Sequence, residues 1–385
     1  MPKTSSRLEV FPDSAISYMV RLAEQYHAIN LAQGVPDFDP PGDLLAAAEN
    51  AIRSGYNQYS STWGSLRLRQ AIAAKQSHFS GLEIDPDQHV TVTVGGTEAL
   101  LATLTAVTDP GDKVIIFSPH YEAYIVDSRL LGAQLIHIPL HPPALTFDPD
   151  DLRQAFKNRA RVLILCNPAN PTGKVFSRSE LQIIADLAQE YDTFVLADEI
   201  YEHIVYPPNE HTYIASLPGM FERTISCSSV SKTYAVTGWR VGWAIAPPTI
   251  SAGLRKVHDF LSVCAPTPLQ EASVTALEFP WSYYEQMLAE YSARRNLFLG
   301  YLRNAGLNFI DPQGAYYVLV DISPFGFSDD FDFCTWMVRE IGLAATPGSY
   351  FFHEPIKNYI RLNFAKHEDT LHAAGQRLQR LKEKI

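Results

Sequence analysis

Cysteine is scarce. The 385 residues contain four, Cys166, Cys227, Cys264 and Cys334, far apart and with no C-x-x-C pair. They read as reduced thiols, Cys166 and Cys227 lying inside apolar runs, and a soluble cytoplasmic protein is expected. No apolar run approaches the roughly 18 residues that cross a bilayer. Residues 1–10 lack the apolar stretch of a secretory signal. The nearest glycosylation acceptor, Asn170-Pro171-Thr172, contains the forbidden proline. Basic tracts are missing too: 31 Lys and Arg face 42 Asp and Glu, a net charge of −11. That balance argues against a nucleic-acid backbone or an anionic membrane as partner. Glycine and proline are too scattered for collagen or a low-complexity linker, and no internal repeat is visible.

What is present is ordinary globular material, 46% hydrophobic and 19% charged. At about 150 residues per domain the length suits two to three domains. From about residue 65 to 250, short apolar runs alternate with amphipathic stretches. Strands are expected at 89–94, 113–118, 134–140, 161–166, 193–197, 224–228 and 241–246. Helical patterns lie between most of them, as at 97–108 and 179–190. Such alternation predicts an α/β fold with a mostly parallel seven-stranded sheet between helices. After Pro266 the pattern changes to a long helical region at 269–304, a strand at 316–321, a helix near 331–341, a strand at 359–364 and a helix at 370–382. This reads as a smaller α+β domain. The expected division is a large domain at 46–290 and a small one from 1–45 plus 291–385, the N-terminal segment packing on the C-terminal unit.

Open α/β sheets bind ligands beyond the carboxyl ends of their strands. Behind the first expected strand stands Gly95-Gly96-Thr97-Glu98, a turn whose free N–H groups suit a phosphate. Behind the fourth stands Asn167-Pro168-Ala169-Asn170-Pro171-Thr172-Gly173, where each proline stiffens the residue before it. The following Lys174-Val175 excludes a P-loop. Asp198-Glu199-Ile200-Tyr201 follows the fifth strand and puts a carboxylate at the lip of a buried strand. Ser229-Val230-Ser231-Lys232 follows the sixth, with Arg240 close behind. A lysine drawn into an apolar site loses basicity and becomes a nucleophile. A lysine for an aldehyde, an acid for a pyridine nitrogen, and hydroxyl, amide and guanidinium donors together form the set that pyridoxal phosphate requires.

These motifs also carry a family resemblance. Ser229-Val230-Ser231-Lys232-x-x-Ala235-Val236-x-Gly238-x-Arg240-Val241-Gly242 resembles the lysine motif of class I/II pyridoxal-phosphate aminotransferases, fold type I. Asn167-Pro168-x-Asn170-Pro171-Thr172-Gly173 and Asp198-Glu199-x-Tyr201 resemble its other motifs, in the same order. The likeness runs from Gln33-Gly34 to Tyr359-Ile360-Arg361-Leu362 and leans toward the methionine and kynurenine–glutamine aminotransferases. It implies that Lys232 bonds the cofactor aldehyde and then shuttles a proton, and that Asp198 keeps the pyridine nitrogen protonated. It implies Asn170 and Tyr201 as donors to the 3′-oxygen, and Gly96, Thr97, Ser229 and Arg240 around the phosphate. Tyr121 would stack on the ring, and Tyr59 would reach the neighbouring subunit's phosphate in a homodimer. Arg361 would grip the substrate carboxylate, with Gly34 and Asn170 beside the substrate. Arg361 also makes sense locally, since Ile360, Leu362 and Phe364 alternate onto the opposite face of their strand.

The implied reaction moves an amino group from an L-amino acid to a 2-oxo acid by a ping-pong route through pyridoxamine phosphate. Tyr18, Tyr59, Trp63 and Tyr121 suggest an aromatic-rich pocket for methionine or aromatic side chains. A cysteine-conjugate β-lyase is the alternative within the same cofactor chemistry. A non-catalytic effector-binding module is the alternative of another class, disfavoured because only about 45 residues precede the main domain and no helix–turn–helix pattern is visible. A catalytic metal is not expected: His367 and His372 in His367-Glu368-Asp369-Thr370-Leu371-His372 stand about 140° apart around a helix. A serine hydrolase would need G-x-S-x-G, which is missing.

Overall fold

The computed structural model describes residues 3–6, 8, 11 and 14–381. Seven strands form its central sheet: β1 Val90–Thr93, β2 Lys113–Ser118, β3 Gln134–Pro139, β4 Ala160–Cys166, β5 Phe194–Asp198, β6 Thr224–Ser229 and β7 Gly242–Ile245. Their order across the sheet is β1-β7-β6-β5-β4-β2-β3. The pairs from β3 to β6 are parallel, and only β7 runs against its two neighbours. Apolar residues alternate along the strands and bury both faces. Ile115, Leu163 and Val195 meet Leu152, Leu181 and Ile184 on one side. Val114, Ile164 and Leu196 meet Leu104 and Leu254 on the other. Each such side chain contributes roughly 1.5–3 kcal/mol on burial. The helix Arg178–Glu190 starts on a capping box between Ser177 and Glu180.

The second unit is a small antiparallel sheet of β8 Phe309–Ile310, β9 Tyr317–Asp321, β10 Thr346–Pro347 and β11 Tyr359–Asn363, in the order β10-β11-β9-β8. The N-terminal segment packs here: Ile29–Asn30 pairs with Leu343–Ala344, and Met19, Leu22 and Leu31 share a core with Phe298, Val318, Leu362 and Leu378. The continuous helical region expected at 269–304 is two helices, Thr267–Leu277 and Trp281–Asn304. Pro280 separates them, because proline offers no N–H to a helix interior. The division at 45/46 falls within the helix Gly42–Arg53, whose Leu44 packs with Leu68 and Val274 of the large unit, and 290/291 falls within Trp281–Asn304. The closing helix is Glu368–Gln379; the expected end at 382 and the outermost residues of the expected small domain, 1–2 and 382–385, lie outside the described residues. Among the described residues no helix is long and apolar enough to cross a membrane.

Candidate active site

Three neighbouring strands deliver the chemistry. Cys166 pairs with Asp198 and Asp198 with Cys227, so β4, β5 and β6 end side by side. Asp198 is the last residue of β5 rather than the first beyond it. The helix Gly95–Val107 begins two residues before the expected position, so Gly95 and Gly96 form its first turn. Gly95 has a positive φ of 75°, and a Cβ there would overlap the Arg240 guanidinium. Only glycine allows Arg240 to lie across that helix end.

A cavity of about 310 Å³ opens at these ends. Gly34, Gly96, Thr97, Tyr121, Asn170, Asp198, Tyr201, Lys232, Arg240 and Arg361 all line it. Ser229 does not reach the wall: it pairs with Gly242 at the end of β6, where its Oγ accepts the Ser231 N–H at 3.1 Å. Tyr59 is 80% exposed and stands away from this cavity. The expected aromatic pocket is also revised. Tyr18 packs on Phe331, and Trp63 lies under Arg255, so of the four aromatic residues named only Tyr121 lines the wall. A larger hollow of about 550 Å³ lies between helices Leu66–Ser80 and Thr267–Leu277, but its buried amine, Lys75, is paired with Glu202 at 2.8 Å.

Lys232 Nζ donates to the Gly34 carbonyl at 3.1 Å. Burial, helped by the charges of Arg361 and Arg240, pulls its amine down to about 8. Asp198 accepts from the Tyr124 hydroxyl at 2.6 Å and from the Ile200 N–H at 3.3 Å. Burial still holds its carboxyl above the usual range, against the pull of Tyr124, Ile200 and Lys232. Tyr201 meets Tyr317 hydroxyl to hydroxyl at 3.0 Å, and burial keeps it protonated and able to donate. Arg361 is 1% exposed, so the second face of β11 is as buried as the first. It lies between the Tyr317 and Phe351 rings, 4.3 and 4.6 Å from their centroids. Its Nη1 donates to Asn170 Oδ1 and its Nη2 to the Ala32 carbonyl, both at 2.8 Å, while Nε is buried without a partner.

The wall fits pyridoxal phosphate. It offers an amine of lowered basicity, a carboxylate for a ring nitrogen, and a helix N-terminus with Thr97 and Arg240 for a phosphate. Ser231 Oγ is buried on this wall with no partner, a donor awaiting an acceptor. Ser231 and Tyr124 escaped the sequence reading. Tyr124 could have been found, because it stands three residues after Tyr121, one helical turn on. Among the described residues, no cluster of His, Cys, Asp and Glu is arranged to hold a metal ion.

The family model described as aminotransferase class I and II matches residues 26–378. The chain belongs to this family. The aminotransferase is 37% identical over 377 residues to a methionine aminotransferase of Escherichia coli, covering 98% of each chain. It is 36% identical over 398 residues to human kynurenine–oxoglutarate transaminase 1, covering 94% of each. The solved structure of N-succinyldiaminopimelate aminotransferase from Mycobacterium tuberculosis matches it with a TM-score of 0.95 at 37% identity, covering 98% of this chain and 100% of that one. The aminotransferase therefore has the fold type I architecture of pyridoxal-phosphate enzymes, and its cofactor is pyridoxal 5′-phosphate. It is a transferase that acts on amino acids.

Proposed function

We propose that this enzyme moves the amino group of an L-amino acid with a methionine-like or aromatic side chain to a 2-oxo acid. The observation that carries the reading is the convergence of Lys232, Asp198 and Arg361 on one cavity, with Asn170 bridging the cofactor end and the substrate end. When bound, pyridoxal phosphate supplies an aldehyde for the amino group and a ring that takes up the electron pair left at Cα. Asp198, charged, holds the proton on the ring nitrogen. Thr97, Arg240 and the Gly96 N–H hold the phosphate, with Ser229 behind them. Asn170 turns its Oδ1 to Arg361, so its NH₂ is free to donate to the 3′-oxygen beside the Tyr201 hydroxyl. Tyr121 covers the ring. Arg361 presents a planar fork to the α-carboxylate, which fixes the Cα–H bond for Lys232. Lys232 Nζ would take up the proton from Cα and hold it as an ammonium, and in the return half-reaction would give a proton back to Cα, a task suited to an amine that burial pulls down to about 8.

The apolar lining from Ile16, Val35, Leu100 and Ile200, with Tyr121 and Tyr317, supports the side-chain preference. Tyr59, exposed on the single chain, would be covered in a homodimer and donate to the neighbour's phosphate. The test is the visible spectrum of the holoenzyme. Methionine should bleach its yellow band, a 2-oxo acid should restore it, and borohydride alone should fix the cofactor to a peptide containing Lys232. Loss of the band from Lys232→Ala is expected. A substrate panel in which aspartate outruns methionine and phenylalanine would overturn the side-chain reading. Pyruvate and ammonia released from a cysteine conjugate, without any need for a 2-oxo acid, would mark an eliminating lyase instead.

A further inference from the structure

One charged group on the cavity wall has no task in this reaction. Glu122 lines the same cavity as Arg361, and its Oε2 is buried without a hydrogen-bond partner. Ser14, Ile16 and Ser17 of the N-terminal segment line the same cavity. Burial raises its carboxyl above the usual carboxylate range, against the pull of the Tyr350 hydroxyl and the Arg361 charge. Every cation on the wall is already committed. Lys232 serves the aldehyde, Arg240 the phosphate and Arg361 the α-carboxylate, and among the described residues no further Arg, Lys or His lines the cavity.

A substrate with a second carboxylate would therefore bring it toward a carboxylate and find no free cation. We infer that Glu122 determines side-chain specificity by excluding that second carboxylate, so that both the amino donor and the 2-oxo acceptor carry uncharged side chains. Donor and acceptor occupy one site in turn, so a single wall charge filters both. This rests on the reading that the cavity binds an amino acid through Arg361. Like charges held close in a desolvated site repel strongly, which is a filter of at least about tenfold.

The experiment compares the half-reactions of the holoenzyme with glutamine and with glutamate, side chains of equal size and different charge. The wild type should favour glutamine by about tenfold or more in kcat/KM, and Glu122→Gln should reduce that ratio by about tenfold. The ratio is taken within each protein, so a general loss of activity cancels. A second measurement needs no variant: pentanoate should inhibit the methionine half-reaction of the wild type at least about tenfold more tightly than glutarate. Glutarate binding as well as pentanoate, or a glutamine-to-glutamate ratio unmoved by Glu122→Gln, overturns the inference. Failure of methionine, phenylalanine and glutamine alike to bleach the wild-type band overturns the aminotransfer reading instead.

Discussion

Tyr124→Phe deletes one oxygen from a ring that is 3% exposed. The ring keeps its packing, so the change falls on the 2.6 Å bond from the Tyr124 hydroxyl to Asp198 Oδ2 and on the hydroxyl's contact with the Cys166 thiol. The remaining donor to Asp198 is the Ile200 N–H at 3.3 Å, long and weak by comparison. A hydrogen bond to a charged group contributes about 1.5–3 kcal/mol. At about 1.4 kcal/mol per factor of ten, its loss should weaken pyridoxal phosphate binding about 10- to 150-fold. The sign of the pH dependence follows from the same bond. Burial already raises the Asp198 carboxyl, and Tyr124 opposes burial. Without Tyr124 the carboxyl takes up a proton at higher pH, and a neutral Asp198 no longer stabilises a protonated ring nitrogen. Cofactor affinity in the variant should therefore fall away at a higher pH than in the wild type. The assay is titration of the apoenzyme with pyridoxal phosphate, followed by absorbance, at a series of pH values. An affinity within about threefold of the wild type at every pH would refute the reasoning, because the bond would then carry too little energy to matter.

Asp198→Asn should bind cofactor poorly, yet its apoprotein should melt a few degrees above the wild-type apoprotein in mildly alkaline buffer. The folded-state carboxyl is raised above its unfolded value, so its charge destabilises the fold as pH rises past the folded value; a lower melting temperature would contradict this. Capture of the cofactor aldehyde by the apoenzyme should accelerate as pH rises through about 8, where Lys232 loses its proton, and then level off; stopped-flow absorbance showing a rise only near the ordinary lysine range would contradict it. Gly34→Ala should lower kcat/KM by about tenfold to a hundredfold, because overpacking at this scale costs about 1–3 kcal/mol. The new Cβ would overlap the Tyr317 hydroxyl and disturb the Gly34 carbonyl that Lys232 and Tyr316 share. Adding Tyr317→Phe should recover part of the loss; strict additivity of the two changes would show that the contact is not the cause.

The central sheet was legible because each strand is a short apolar run with polar residues at its carboxyl end, and those ends are where the chemistry lies. Asp198, Lys232 and Asn170 could be named from motifs for that reason, whereas Arg361, inside β11 of the small sheet, was reached through the family resemblance and the alternation of its strand. Ser229 and Ser231 were harder to separate. Both are small hydroxyl residues of one motif, and only the pairing of Ser229 with Gly242 decides which of them faces the cavity. Tyr18 and Trp63 were misplaced because aromatic composition does not say which way a ring points, and both pack against other side chains. Glu122 was invisible for a related reason: a glutamate beside a tyrosine reads as solvated surface until burial of its oxygen is known. The break at Pro280 could have been read from the sequence, since proline interrupts a helix wherever its missing N–H is needed.

Asn170 has a consequence for how such a site can vary. Its amide is divided: the oxygen accepts from Arg361, and on the proposed reading the nitrogen would donate to the cofactor. An aspartate there would offer only acceptors, neutralise Arg361 and present no donor on the other side. A leucine would leave Nη1 buried and unpaired. The two ends of the site are thus physically coupled through one side chain, and on the proposed reading a change at Arg361 would also disturb how Asn170 meets the cofactor. Substitutions at residues such as Glu122 and Ile16, on the same wall but outside this hydrogen bond, would on that reading alter side-chain binding and leave the pair intact.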